Sequence, residues 1–255
     1  MVNPMNVETT GNSPASANPL SQRVTETQAL LHQAMTEFDQ DNIAVSFSGA
    51  EDVVLIDLIR EAGLTCRVFS LDTGRLPIET YQYLETVRKH YQRPIELVYP
   101  DPSGVEALVN AKGLFSFYTD GHQECCGVRK VEPLRRKLAT LDAWITGQRQ
   151  DQSVTRAQVP LRQADEAFST PEHPLVKFNP LARWTSADVW QYIRENRIPY
   201  NPLHDQGFIS VGCQPCTRAV GPFEHERAGR WWWEDPDHKE CGLHGQNLIP
   251  LAKVS

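Results

Sequence analysis

Apolar positions along this 255-residue chain recur with two different periods, and the periods take turns. Val24 to Phe38 repeats them at helical spacing, Ile43 to Phe47 is a short buried run, and Glu51 to Ala62 is helical again. Cys66 to Leu71 and Ile95 to Tyr99 then read as strands, with Pro77 to Tyr91 and Ser103 to Lys112 as the helices that follow them. Val128 to Leu138 and Ala143 to Thr146 continue the series as helix and strand. Strands alternating with helices of this length predict an α/β fold. Its mostly parallel sheet is flanked by helices, with ligands outside the carboxyl ends of the strands.

The later part changes character. Thr185 or Ser186 can cap a helix running to about Asn196, and Ile198 to Gly221 is rich in Pro, Gly and Cys, which predicts irregular structure folded round a metal. Residues 1–22 are rich in Asn, Ser, Thr and Pro and read as a disordered lead. We expect the main domain over residues 23–230 and a mobile C-terminal tail over 231–255.

Charge and composition narrow the function classes. A net charge of -7 disfavours an extended nucleic-acid surface, although one local pocket can still be basic and take a small anion. No run approaches the ~18 to 20 apolar residues of a membrane span, so a soluble cytoplasmic protein is expected. Thiols are kept reduced there, which disfavours a disulfide framework for the six cysteines.

Four of those cysteines form two tight couples, Cys125-Cys126 and Cys213-Gln-Pro-Cys216. Such a quartet can hold zinc or an iron–sulfur cluster. Adjacent residues strain to reach one small tetrahedron, which favours the larger cluster. Cys66 sits in a strand-like run and reads as a small core hydrophobe. Cys241, in Glu-Cys-Gly-Leu-His near the chain end, is left for chemistry, and Arg227 or Arg230 can lower its pKa. His244 can orient or ionise a group beside it, against the commoner structural use of a lone histidine. Three consecutive tryptophans, Trp231 to Trp233, cannot all face one core. Some are expected to pack the tail onto the domain.

Three segments fall at predicted strand ends. Ser46-Phe47-Ser48-Gly49-Ala50-Glu51-Asp52 leads into a helix, where backbone amides and hydroxyls can receive a phosphate, or Ser48 can simply cap. Leu71-Asp72-Thr73-Gly74-Arg75 lies where a base or ribose would sit, or Asp72 merely makes a turn with Gly74. Thr146-Gly147-Gln148-Arg149, with Arg156 beyond it, offers guanidinium groups for phosphate or sulfate; solvated surface charges are the plain alternative. Lys130 follows Cys126 by four residues and can balance cluster charge.

These segments, with Cys-Cys-Gly-Val-Arg-Lys, Gly-Cys-Gln-Pro-Cys-Thr-Arg, Glu-Arg-Ala-Gly-Arg-Trp-Trp-Trp and Glu-Cys-Gly-Leu-His, span Val24 to His244. Together they resemble the assimilatory adenylyl-sulfate (APS) reductases, the iron–sulfur branch of the reductases acting on APS or its 3'-phosphorylated form, PAPS. The resemblance implies a fold of the adenine-nucleotide alpha-hydrolase kind, related to the pyrophosphatase-loop enzymes. The Ser-Gly-Gly-x-Asp-Ser loop of those enzymes is missing, which argues against ATP cleavage. It also implies a [4Fe-4S] cluster on Cys125, Cys126, Cys213 and Cys216, a nucleophile at Cys241, and thioredoxin or a glutaredoxin-like protein as donor. By motif, Ser46, Ser48, Leu71 and Thr73 would hold the adenylate. Lys130, Arg149, Arg156, Arg227, Arg230 and His244 would surround phosphate and sulfate. APS is the expected substrate and a homo-oligomer the expected assembly, with no nucleic-acid or membrane partner. The rivals are PAPS as substrate, an iron–sulfur transfer-RNA thiolase on the same fold, and a non-catalytic metal-binding module.

Overall fold

A computed structural model describes residues 19–153 and 156–234. Its strands are β1 (Ile43–Ser46), β2 (Arg67–Leu71), β3 (Glu96–Val98), β4 (Ala143–Ile145), β5 (Arg162–Ala164) and β6 (Val176–Phe178). They form one sheet in the order β3-β2-β1-β4-β6-β5, parallel throughout except where β5 runs antiparallel to β6. The expected α/β architecture is therefore present, with an antiparallel edge that the sequence did not announce. Arg162-Gln163-Ala164 carries no apolar alternation, and its place comes from pairing with β6.

Helices α1 (Pro19–Glu37), α2 (Ala50–Glu61), α3 (Ile78–Tyr91), α4 (Pro102–Lys112), α5 (Gln123–Cys126), α6 (Glu132–Leu138) and α7 (Ser186–Asn196) surround the sheet. Side chains of β1 alternate between two cores, as the pleat requires. Ile43 and Val45 pack with residues of α1, α2, α3 and α7, whereas Ala44 joins Trp144, Leu134 and Leu138 on the other face. Asp57, in the middle of α2, is buried and accepts from Tyr192 at 2.9 Å and Tyr91 at 3.1 Å, tying α2 to α7 and α3. At the start of α7, Thr185 Oγ1 accepts from Asp188 N while Asp188 Oδ2 accepts from Thr185 N, so Thr185 is the cap.

Two boundaries differ from the sequence expectation. Helix α1 starts at Pro19, not Val24, because Leu20 is buried and extends the apolar stripe of Leu31 and Ala34 backward by three turns. Residues 19–22 thus belong to the helix and not to a disordered lead; 1–18 lie outside the described residues. The helix expected from Val128 instead begins at Gln123 and is interrupted by a wide turn over Gly127–Val131, in which Glu132 N donates to Gly127 O, five residues back. Such turns recur at functional sites.

The chain runs from β1 outward through β2 and β3, then returns to place β4 on the other side of β1. That reversal opens a crevice at the carboxyl ends of β1 and β4, where this class of sheet binds ligands. Among the described residues no helix is long and apolar enough to cross a membrane.

Candidate active site

The segments leaving β1, β2 and β4 meet at this crevice in a cleft of about 230 Å³. That is near the lower end of small-molecule pockets and suits a nucleotide better than a macromolecule. Ser46, Ser48, Leu71, Thr73, Lys130, Arg149, Arg156, Arg227 and Arg230 all line it. Cys241 and His244 lie outside the described residues.

The turn after β1 is closed on its own carboxylate. Asp52 Oδ2 accepts from Ser48 N at 2.7 Å, Ser48 Oγ at 3.0 Å and Gly49 N at 3.0 Å, while Oδ1 accepts from Gly147 N at 3.0 Å. These Ser48 and Gly49 donors are the ones the sequence offered to a phosphate. Asp52, at the third position of α2, takes them instead and ties the end of β1 to the end of β4. Gly147 must be glycine for this, since a Cβ there would lie 2.5 Å from Glu51 Cβ and 2.6 Å from Asp52 Oδ1. Burial, followed by the charge of Glu51, raises the Asp52 pKa from 3.8 to about 6, against the hydrogen bonds of Ser48 and Gly147.

Arg149 lines the cleft with its guanidinium already engaged. Its Nη2 is 3.0 Å from Glu51 and 3.3 Å from Glu226, and Nη1 pairs with Asp151. Three carboxylates around one buried arginine leave that corner acidic. Burial opposes the Arg149 charge, but Glu51, Glu226 and Asp151 outweigh it and hold its pKa above the ordinary value. Burial pushes the Glu226 carboxyl up. Arg156 belongs to the same corner, its Nη1 donating to Gln152 Oε1 at 2.6 Å while Gln152 Nε2 donates to Glu51 at 3.0 Å, and Lys130, Arg227 and Arg230 add further positive charge to the lining. Arg230 lies over the Trp231 ring at 4.6 Å and has a buried Nε with no hydrogen-bond partner. Sequence reasoning did not single out Asp52, Glu226 or His204. His204 lines the cleft with a buried, unpartnered Nδ1, and burial lowers its pKa.

Asp72 makes the turn allowed for it, accepting from Gly74 N at 2.8 Å and from Tyr81 at 2.9 Å, with Gly74 at φ +69°. Thr73 lines the cleft and reaches toward the neighbouring cysteine cavity, its Oγ1 3.2 Å from Cys213 Sγ. Cys125, Cys126, Cys213 and Cys216 line that second cavity with Phe117, His122 and Trp231, and Arg75, Arg129 and Lys130 add positive charge. Lys130, Cys213 and Trp231 line both spaces. Cys66 lies apart from the quartet, 5% exposed in the main core, with its thiol pushed up to about 11 by burial.

The five described cysteines are free thiols, and the quartet fits an iron–sulfur cluster by its donor chemistry. No three Cys, His, Asp or Glu among the described residues are set to hold a single metal ion. The four cysteines line one small cavity together. Burial raises the Cys125 pKa and, with the Cys213 charge, pushes Cys216 up to about 12. For Cys213 burial is outweighed by Lys130, the Thr73 hydroxyl, Arg230 and Arg75, and its pKa is lowered. Of the tryptophans, Trp231 is fully buried, Trp233 packs on Phe117 and Tyr118, and Trp232 is 48% exposed, so they do divide between faces.

A parallel sheet with a nucleotide-sized, cation-lined cleft at its strand reversal is the arrangement of the adenine-nucleotide alpha-hydrolase fold. Structural likeness agrees: an FMN adenylyltransferase from Candida glabrata in complex with ATP superposes with a TM-score of 0.56 over 79% of this chain and 65% of its own, at 15% identity. The phosphoadenosine phosphosulfate reductase domain matches residues 42–219, and the chain belongs to that family. An adenosine 5'-phosphosulfate reductase of Pseudomonas aeruginosa is 57% identical over 94% of this chain and 89% of its own length. The phosphoadenylyl-sulfate (PAPS) reductase of Candida auris, solved as a phosphate complex, gives a TM-score of 0.62 at 25% identity over 82% of this chain and 100% of its own.

Proposed function

We propose that this chain reduces adenylyl sulfate to sulfite and AMP in sulfate assimilation. The support is the convergence of nine residues expected around adenylate, phosphate and sulfate on one cleft, next to four reduced cysteines. APS is favoured over PAPS because the Pseudomonas relative, at 57% identity over nearly the whole chain, is named for the non-phosphorylated nucleotide.

In this reading the Cys241 thiolate attacks the sulfur of APS. A Cys241 S–S bond forms, the bond from sulfur to the phosphate oxygen breaks, and AMP leaves with the electron pair. The second half-reaction needs a dithiol, because Cys66 is buried and the other described thiols belong to the quartet. A thioredoxin-like donor attacks Cys241 Sγ and expels sulfite. Its second thiol then closes its own disulfide, returning Cys241 as thiolate and supplying the two electrons.

Cys125, Cys126, Cys213 and Cys216 would hold a [4Fe-4S] cluster, which would supply a cross-link and a local charge. Lys130, on the wall common to both spaces, holds positive charge beside the leaving group. The testing experiment mixes the protein with APS in the absence of reductant and weighs the peptides. A sulfite-sized adduct confined to the Cys241 peptide is expected; an unmodified Cys241 after AMP release sinks the reading.

A further inference from the structure

The backbone from Gly229 to Glu234 is fastened to both cysteine couples. On the Cys213-Cys216 side, Arg218 N donates to Gly229 O at 3.0 Å, Thr217 pairs with Arg230 in an antiparallel bridge, and Trp231 N donates to Cys216 O at 3.1 Å. Gly229 admits no side chain, since a Cβ would lie 2.3 Å from Arg218 O. On the Cys125-Cys126 side, Glu234 straddles the residue before α5. Its Oε1 accepts from His122 N at 2.8 Å and its Oε2 lies 2.6 Å from His122 Nδ1. Trp231 stacks on the His122 ring at 4.2 Å, and Trp233 Nε1 donates to Phe117 O at 3.2 Å.

The carboxylate and the imidazole are 11% and 1% exposed, so desolvation is offset by their mutual bonds. Neither residue lines the nucleotide cleft. What the pair does fix is the origin of the segment carrying Cys241, which lies seven residues beyond Glu234.

We propose that the Glu234–His122 clasp is a positioning device for the reaction, fixing the root from which Cys241 reaches the substrate. The proposal rests on Cys241 being the nucleophile. Seven residues span at most about 25 Å when fully extended, so the place of Glu234 bounds the volume the thiol can visit. A fixed root raises the effective concentration of the thiolate at the substrate sulfur, and a loose one dilutes it.

The test uses the full-length, iron-loaded chain as wild type, Glu234→Ala and Glu234→Gln. AMP affinity and iron content are expected to be unchanged in both variants. In single turnover with APS and no reductant, Glu234→Ala forms the Cys241 adduct more slowly, on the order of tenfold. Glu234→Gln, which keeps an acceptor for His122 N, recovers part of the rate. Backbone hydrogen exchange over residues 229–234 rises in the alanine variant alone.

Unchanged exchange with a wild-type single-turnover rate overturns the clasp. Loss of iron or of AMP binding in Glu234→Ala overturns it too, by reducing the pair to a structural prop. Absence of a Cys241 adduct in wild type defeats the nucleophile assignment and with it the positioning role, whereas the exchange data still judge the anchor.

Discussion

Thr73 Oγ1 lies 3.2 Å from Cys213 Sγ, so the nucleotide cleft and the cysteine cavity are joined by a hydrogen bond as well as by a common wall. Thr73→Val keeps the shape and removes that partner. The Cys213 thiolate then loses one of its supports, about 1 kcal/mol, or roughly fivefold in metal retention. Iron and sulfide loss to a chelator, followed by absorbance, is expected to quicken by that factor; an identical half-life refutes the role.

Asp52 predicts a pH signature in stability. Its folded pKa of about 6 lies above the ordinary carboxyl value of 3.8, so the fold prefers the protonated acid. The contribution is complete below about pH 4 and is lost as pH rises through 6, roughly 3 kcal/mol in all for a fully buried group. Relative to Asp52→Asn, the wild type should lose stability over that window in urea titrations. Parallel profiles for the two proteins would show that Asp52 does not titrate there.

The acidic corner around Arg149 predicts a variant that binds better. Glu226→Gln removes one negative charge from the cleft and loosens the hold on Arg149. AMP should bind about fivefold more tightly, as a charge several ångströms away at intermediate dielectric implies. Calorimetric titration giving weaker binding would mean that Glu226 itself touches the nucleotide.

Two cysteine variants separate core from chemistry. Cys66→Ala is expected to cost about 1 kcal/mol as a small cavity and to keep full turnover with a dithiol donor. Cys241→Ser should keep iron and AMP binding while sulfite production falls to background. Near-normal sulfite release from the serine variant would remove Cys241 from the mechanism.

The alternation from Ile43 to Thr146 was legible because the strands are short apolar runs between amphipathic helices, and the cleft followed from where those strands end. The cysteine couples were legible by spacing. Asp52 was not, since an acid at the third position of a helix suits the dipole whether it points outward or folds back on Ser48 and Gly49. Nothing local in the sequence marks Glu226 or Glu234 either. Their partners, Arg149 and His122, lie 77 and 112 residues away, a pairing that only the tertiary fold determines. The edge strand β5 has no pattern of its own, and α1 reaches back into a Pro- and Ser-containing stretch because Leu20 finds the core.

The wide turn at Gly127–Val131 puts the two halves of one helical rod out of phase. Upstream, Cys125 and Cys126 address the cavity; downstream, Leu134 and Leu138 are seated in the core beneath the sheet. Deleting a single residue from the turn would rotate one half against the other by about 100°. The rod would then keep either its hydrophobic seat or the aim of its sulfur atoms, and the length of these five residues is as constrained as the cysteines themselves.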